Sequence, residues 1–347
     1  MEAVRTSEAG TASAATEELL HDARQERWGV LFAVLCAING AFVPAVANVT
    51  TRAADPFVVT VATTWFAGVA ALVVLLARGQ LRVLWAPRYA VQLALLGALG
   101  TALAFTLFFT GASRATAVQT VLALQIEPVY SLLLSWLVLG HKPSGQRVAA
   151  TLCILAGLAV AFGREGLSAS SGIAYLLATP LCWQLSHLIV LRWLPGISPD
   201  VLAGARYLWG TAFLTVIGAS FGVGSDVAAV PGLPWGWVAA QGCVLSYGGT
   251  MLWYGAVTRI DLARATVLVV PTVPLLSLAT SFIFLGEVPN ARQAVGVAIT
   301  ALGVYVFARR GVPPRVPGGK EIITHATPHC TRAAACARGK ASGRRSG

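Results

Sequence analysis

Ten charge-poor apolar stretches follow one another along the chain, with approximate limits 28–48, 56–77, 89–110, 115–139, 146–163, 172–191, 201–221, 235–254, 264–285 and 292–308. Each is a continuous apolar run without period-two alternation, a pattern that excludes a β-barrel and predicts helices. About 20 helical residues cross the roughly 30 Å hydrocarbon core of a bilayer, and most of the stretches meet that length. The fifth and tenth are marginal, and each is bounded by arginines: Arg147 and Arg164, Arg292 and Arg309. A helix satisfies its own backbone polar groups in lipid, which an open sheet does not. The pattern therefore predicts an all-α polytopic membrane protein with ten transmembrane helices.

The fourth stretch, Ala115–Leu139, carries Glu127-Pro128 at its centre, and much of it recurs. Laying Pro128 on Pro274 also lays Ser131 on Ser277, Leu132 on Leu278, Ser135 on Ser281, Leu139-Gly140 on Leu285-Gly286 and Pro143 on Pro289. Gly157 then falls on Gly303 and Val160 on Val306; Gly111-Ala112 and Gly255-Ala256 resume the match upstream after a small length difference. Internal duplication with a broken apolar segment at corresponding places points to a transporter binding site near the midplane. An odd number of spans per copy makes the second copy enter the membrane from the opposite side. The prediction is two inverted five-helix repeats, 28–163 and 164–308, between a cytoplasmic segment 1–27 and a tail 309–347.

Lys/Arg placement sets the orientation. With both termini inside, the cytoplasmic connections hold Arg78, Arg82, Arg88, Lys142, Arg147, Arg192, Arg259 and Arg264, and the outer ones hold Arg52, Arg114, Arg164 and Arg292. The excess inside favours that orientation in a plasma (inner) membrane. Trp28, Trp85, Trp193, Trp235 and Trp237 sit at stretch ends, where an amphipathic ring suits the headgroup layer, whereas Trp65, Trp136, Trp183, Trp209 and Trp253 lie within spans.

Composition agrees. With 56% apolar and 11% charged residues, against about a quarter charged in soluble domains, the chain is no ordinary globule. Its net charge of +11 is concentrated in the tail, where residues 309–347 hold nine Lys/Arg and one acid. That tail has no periodic apolar pattern and is expected to be disordered, with a basic character suited to anionic lipid rather than to nucleic acid. Residues 1–27 have more acids than bases and no apolar core, so no cleavable signal peptide is expected. Cys36, Cys153, Cys182 and Cys243 fall inside spans, which implies no disulfide framework. His325, His329, Cys330 and Cys336 in the tail match no familiar zinc spacing.

The repeated block reads EPVYSLLLSWLVLGHKP and VPLLSLATSFIFLGEVP: an apolar helix with a central Pro, then Leu-Gly, then a short Pro-containing connection. It resembles the EamA repeat of the drug/metabolite transporter superfamily over residues 28–308. The resemblance implies a ten-helix inner-membrane carrier that works by alternating access and exports amino acids, other metabolites or toxic compounds. Several positions depart from the family pattern: Asn39-Gly40 stands where Trp-Gly is common, His141 replaces an acid that Glu287 keeps in the second copy, and Thr64-Trp65 occupies a region where an Arg is usual.

Ionisable groups within a span are functional suspects, because stranding one at mid-bilayer costs at least about 2.5 kcal/mol. Apart from arginines at span boundaries, only Glu127, His187 and Arg206 lie inside the stretches. Glu127 is too deep to reach the headgroups and must face protein or water. There desolvation favours its protonated form and a neighbouring cation its charged form, so it is the candidate to bind a proton or a substrate cation. The bland alternative is a permanently protonated Glu127 bonded to a carbonyl freed by Pro128. Arg206 and His187 lie within about two turns of the cytoplasmic ends of their helices and are within snorkelling reach of the interface. Pro128, Pro271 and Pro274 each remove a backbone donor and free a carbonyl for a ligand or water. Gly248-Gly249-Thr250 permits close helix approach or substrate access. No GxxxxGK[ST] loop or catalytic constellation is present. The expectation is thus a non-enzymatic carrier without cofactor or metal, a monomer or homodimer, whose partners are a small-molecule substrate, the lipid bilayer and protons. One in-span cation argues against a polyanionic substrate. A non-transporting membrane sensor or assembly protein on the same fold is the alternative.

Overall fold

The computed structural model describes residues 2–138, 140, 142–163, 172–220, 232–260, 265 and 268–309. The expected tail beyond Arg309, with Arg164, Arg264, Leu139 and His141, lies outside the described residues. Within them the regular structure is helical: α1 Glu2–Ala53, α2 Pro56–Ala77, α3 Ala90–Ala112, α4 Ala117–Leu137, α5 Gly145–Phe162, α6 Ile173–Trp193, α7 Pro199–Ser220, α8 235–257, α9 Thr272–Leu285 and α10 Ala291–Arg309. Seven described helices, α1 through α7, are long and apolar enough to cross a membrane. The apolar α9 and α10 are shorter, and α8 is one continuous helical run of mixed winding.

Local chemistry sets the helix ends. Asp55 accepts from the Phe57 and Val58 amides at 2.8 and 3.3 Å ahead of α2, the N-cap use of a short carboxylate, with Pro56 in the first turn where no donor is needed. Thr116 and Gln119 form a reciprocal capping box at the start of α4. Ser144 caps α5, and Asn290 holds the same place before α10, with its Oδ1 accepting from Gln293 N at 2.9 Å. Gly140 and Gly286, matched in the sequence repeat, both take the left-handed conformation (φ 72° and 65°) after α4 and α9. A residue without Cβ adopts it at no steric cost.

Three features depart from the sequence expectation. α1 begins well before residue 28, because Ala, Glu and Arg ahead of the apolar run are good helix formers whatever their polarity. α4 is two helices, Ala117–Leu124 and Glu127–Leu137, separated by Gln125-Ile126. α3 and α8 each contain a π-helical segment, Ala98–Leu103 and Ala240–Gly248.

The packing has an internal regularity. α5 lies along α10, α2 along α7, and the first piece of α4 against α9. α1 packs on α8 and α9, as α6 packs on α3 and α4; α2 packs on α8, as α7 packs on α3. Exchanging each helix for the one five along leaves this pairing unchanged. Small residues bring the pairs close: a Cβ on Gly157 would meet Thr300 N at 2.6 Å and Gly296 O at 2.8 Å, and a Cβ on Gly303 would meet Ile154 N at 2.9 Å and Ala150 O at 3.0 Å. Close backbone approach of this kind replaces the hydrophobic drive that lipid does not supply. Outward faces stay apolar, as in Val69, Val73 and Leu76 of α2, and the five tryptophans at stretch ends are all exposed.

Candidate functional site

Glu127 opens the second piece of α4. Ten positions separate it from Ala117 and ten from Leu137, about 15 Å of helix on either side. Pro128 follows in the first turn, where its missing N–H costs nothing. The chain therefore breaks ahead of Pro128 instead of kinking at it. Gln125 N and Ile126 N bond three residues back, to Leu122 O and Ala123 O, and the Leu124 carbonyl has no donor four residues on because Pro128 offers none. The second copy is alike: Pro271 precedes the first residue of α9 and Pro274 is buried in its first turn. Residues 261–264, 266 and 267, just before it, lie outside the described residues.

Gln184 of α6 donates from Nε2 to Glu127 Oε1 at 2.8 Å. His187, three residues further along α6, shares that face. Its side chain is exposed. Glu127, Gln184 and Arg206 are all half-buried. The Arg206 guanidinium acts electrostatically on Glu127, His187 and Tyr254.

Arg206 does not snorkel. It lies seven positions into α7, and its Nε and Nη2 donate to Gly100 O at 3.1 and 2.8 Å. Gly100 is midway along α3, inside the π segment. A Cβ on Gly100 would come within 3.0 Å of Ser186 Oγ and 3.2 Å of Arg206 Nε. The bidentate contact fixes the guanidinium in the interior and leaves Nη1 outside it. α4 and α6 thus bring Glu127 and Gln184 into contact, with His187 on the same side of α6 and the Arg206 charge of α7, held at Gly100 of α3, near enough to act on both carboxyl and imidazole; Pro271 and Pro274 start α9, which packs on the first piece of α4. Sequence reasoning passed over Gln184 because an amide is not ionisable; its spacing of three from His187 was the available signal. It passed over Gly100 because nothing in the run ALGTAL marks a π turn.

An all-helical, multi-pass membrane protein with a carboxylate, an amide and an arginine gathered at mid-depth has the makings of a small-molecule transporter. The chain belongs to the EamA-like transporter family, whose model matches residues 27–163 and again 170–309. The two matches coincide with the two halves of the packing pattern. The chain is 28% identical over 228 residues to a probable terminal-alkyne amino-acid exporter of Streptantibioticus cattleyicolor, a match that covers 63% of this chain and 73% of the relative. A solved crystal structure shares the fold with a TM-score of 0.56 and 23% identity, over 80% of this chain and 95% of that one.

Proposed function

We propose that the protein exports a small metabolite, amino acid or toxic compound by alternating access, through ten crossings in two inverted five-helix repeats, with both termini cytoplasmic in the inner membrane. The observation that carries the reading is the Gln184–Glu127 hydrogen bond, made between the two family-matched halves and within the field of Arg206. A carboxylate at mid-depth whose partner belongs to the other half feels any movement of one half on the other. Its hydration and its protonation change with that movement, which is the physical requirement for coupling export to a proton gradient. The helix exchange pattern supports inverted repeats. Two ion pairs among the described residues fit the alternation of the connections between the two sides, since Arg52–Glu287 joins two connections expected on one side and Arg78–Asp200 two expected on the other, whichever side is cytoplasmic. Glu127 takes the proton or the ammonium group of an amino-acid-like substrate; Arg206 supplies the countercharge that a carboxylate needs. His187, exposed on the same side of α6 as Gln184, lines the substrate path. Pro128, Pro271 and Pro274 set the breaks that shape it.

The test is flux in proteoliposomes with an imposed pH gradient and a panel of amino acids that includes a terminal-alkyne one, the chemistry named for the relative. Glu127→Gln keeps size and hydrogen bonding but does not titrate. It is expected to lower gradient-driven flux at least about tenfold and to flatten its pH dependence. Wild-type flux and pH dependence in a folded Glu127→Gln protein would overturn the proton role, and no flux of any panel compound above empty vesicles would favour the sensor or assembly role.

A further inference from the structure

Asn39-Gly40 and Gly248-Gly249-Thr250 stood out in the sequence and have no place in the Glu127 cluster. The fold brings them together. Asn39, 8% exposed on α1, donates from Nδ2 to Leu245 O at 2.9 Å. Leu245 lies inside the π segment of α8, and such departures from α winding are frequent at functional sites. Two more side chains hold the same stretch. Tyr207 of α7 donates to Ser246 O at 2.8 Å and lies 3.0 Å from Thr250 Oγ1, and Cys36 of α1 donates to Gly249 O at 3.8 Å. A Cβ at 249 would sit 2.3 Å from Asn39 Nδ2, so any larger residue there displaces that amide.

The arrangement has a partner across the repeat. Gly100 and Leu245, whose carbonyls are both held by side chains, lie inside the π segments of α3 and α8, helices that the five-along exchange relates. In each case the holding side chain comes from the other family-matched half: Arg206 for α3, Asn39 for α8. Residues 249–257 of α8 pack on α1 beyond this point. If the π segment relaxed to α winding by one residue, this arm would turn by about 100° and shift by about 1.5 Å along its axis.

We infer that Asn39 is a positioning residue of the transport cycle: its amide pins the π segment of α8 through the Leu245 carbonyl, and release of that bond frees the 249–257 arm to move. The inference rests on the alternating-access reading, because only a cycling protein needs the arm to be released. Asn39 neither touches the Glu127 cluster nor binds substrate. Its loss acts on the rate of cycling and leaves binding alone.

Amide hydrogen exchange of the purified full chain in nanodiscs tests the pin without any ligand. Removing one neutral hydrogen bond is worth about a factor of ten in a local opening equilibrium. Asn39→Leu is therefore expected to speed exchange in 244–257 about tenfold and to leave the equivalent stretch 98–112 near wild type. Gly249→Ala pushes on the same amide and is expected to do the same; the double variant is expected to go no further than either single one, as for two lesions of one contact. In proteoliposomes, for whichever panel amino acid is exported, Asn39→Leu lowers the maximal rate and leaves KM within about twofold, the signature of a lost step rather than lost binding. Unchanged exchange in 244–257, or equal acceleration in 98–112, overturns the pin. A raised KM at unchanged maximal rate overturns the positioning role in favour of substrate contact. Failure of every panel compound to move counts against the transport reading and leaves exchange to decide the pin.

Discussion

Gly157→Ala should measure how closely α5 and α10 are pressed together. The added methyl would sit 2.2 Å from Thr300 Oγ1, 2.6 Å from Thr300 N and 2.8 Å from Gly296 O. Rotation of the Thr300 hydroxyl relieves the first contact. The other two are backbone atoms of α10, and restoring an ordinary separation of about 3.5 Å requires that helix to retreat by about 0.9 Å. Retreat also opens the matching contacts of Gly303 with Ile154 N and Ala150 O, because the two glycines face each other's helices across one seam. Overpacking of this kind costs about 1–3 kcal/mol, and the helix gains about 0.5–1 kcal/mol when Gly becomes Ala. The net expectation is a loss of about 1–2 kcal/mol. Gly145, on the same helix with nothing within 4 Å of its would-be Cβ, is the control, and Gly145→Ala is expected to lose no stability. Equilibrium unfolding of purified protein in mixed micelles on addition of SDS gives both numbers. Equal stability of the two variants would refute the packing, and with it the claim that helix exchange relates the two halves.

Glu287 accepts from Ala117 N at 2.7 Å and Val118 N at 3.4 Å at the start of α4, besides pairing with Arg52. Arg52 is about half exposed, so the ion pair is worth at most about 0.5 kcal/mol, whereas loss of a helix cap costs about 1 kcal/mol. In the same unfolding assay Glu287→Ala should cost more than Arg52→Ala, and the reverse order would assign the stability to the ion pair. Gln184→Leu removes the donor to Glu127 and is expected to cut gradient-driven flux about tenfold. In a Glu127→Gln background it should have much less effect, and full additivity there would mean that Gln184 acts on its own account.

The duplication was legible because transporter repeats keep their helix punctuation. Ser144 and Asn290 cap α5 and α10, Gly140 and Gly286 end α4 and α9, and Pro128 and Pro274 open matching helices. Such residues have local physical reasons for their positions and can be read one at a time. Glu127 was legible for the same kind of reason, since a charge inside an apolar run conflicts with its surroundings. The π segments were not. ALGTAL and AQGCVLSYG have ordinary helical composition, and a π turn differs from an α turn by one residue of winding that tertiary contacts select. The destination of Arg206 was illegible too: a long side chain near a helix end reads as snorkelling until the Gly100 carbonyl is seen to hold it.

Under the proposed inverted arrangement, the backbone and the chemistry of this protein differ in symmetry. Each half packs in the manner of the other, so each could adopt the other's conformation, and inward-facing and outward-facing states built by that exchange would be close in backbone energy. The side chains at the centre break the equivalence. Val273 stands where the repeat would put the counterpart of Glu127, and the stretch of α2 that answers to Arg206 of α7 holds Ala62, Thr63 and Thr64, none of them charged. Glu127 therefore meets Gln184 and the field of Arg206 on one side of the pseudo-axis, with no equivalent charges on the other. A small bias is enough, since about 1.4 kcal/mol shifts a two-state population tenfold. The bond between Glu127 and Gln184 is of that order, and protonation or a bound ammonium group changes it. On this reading the near-symmetric scaffold makes the two states accessible, and the asymmetric cluster lets proton and substrate choose between them.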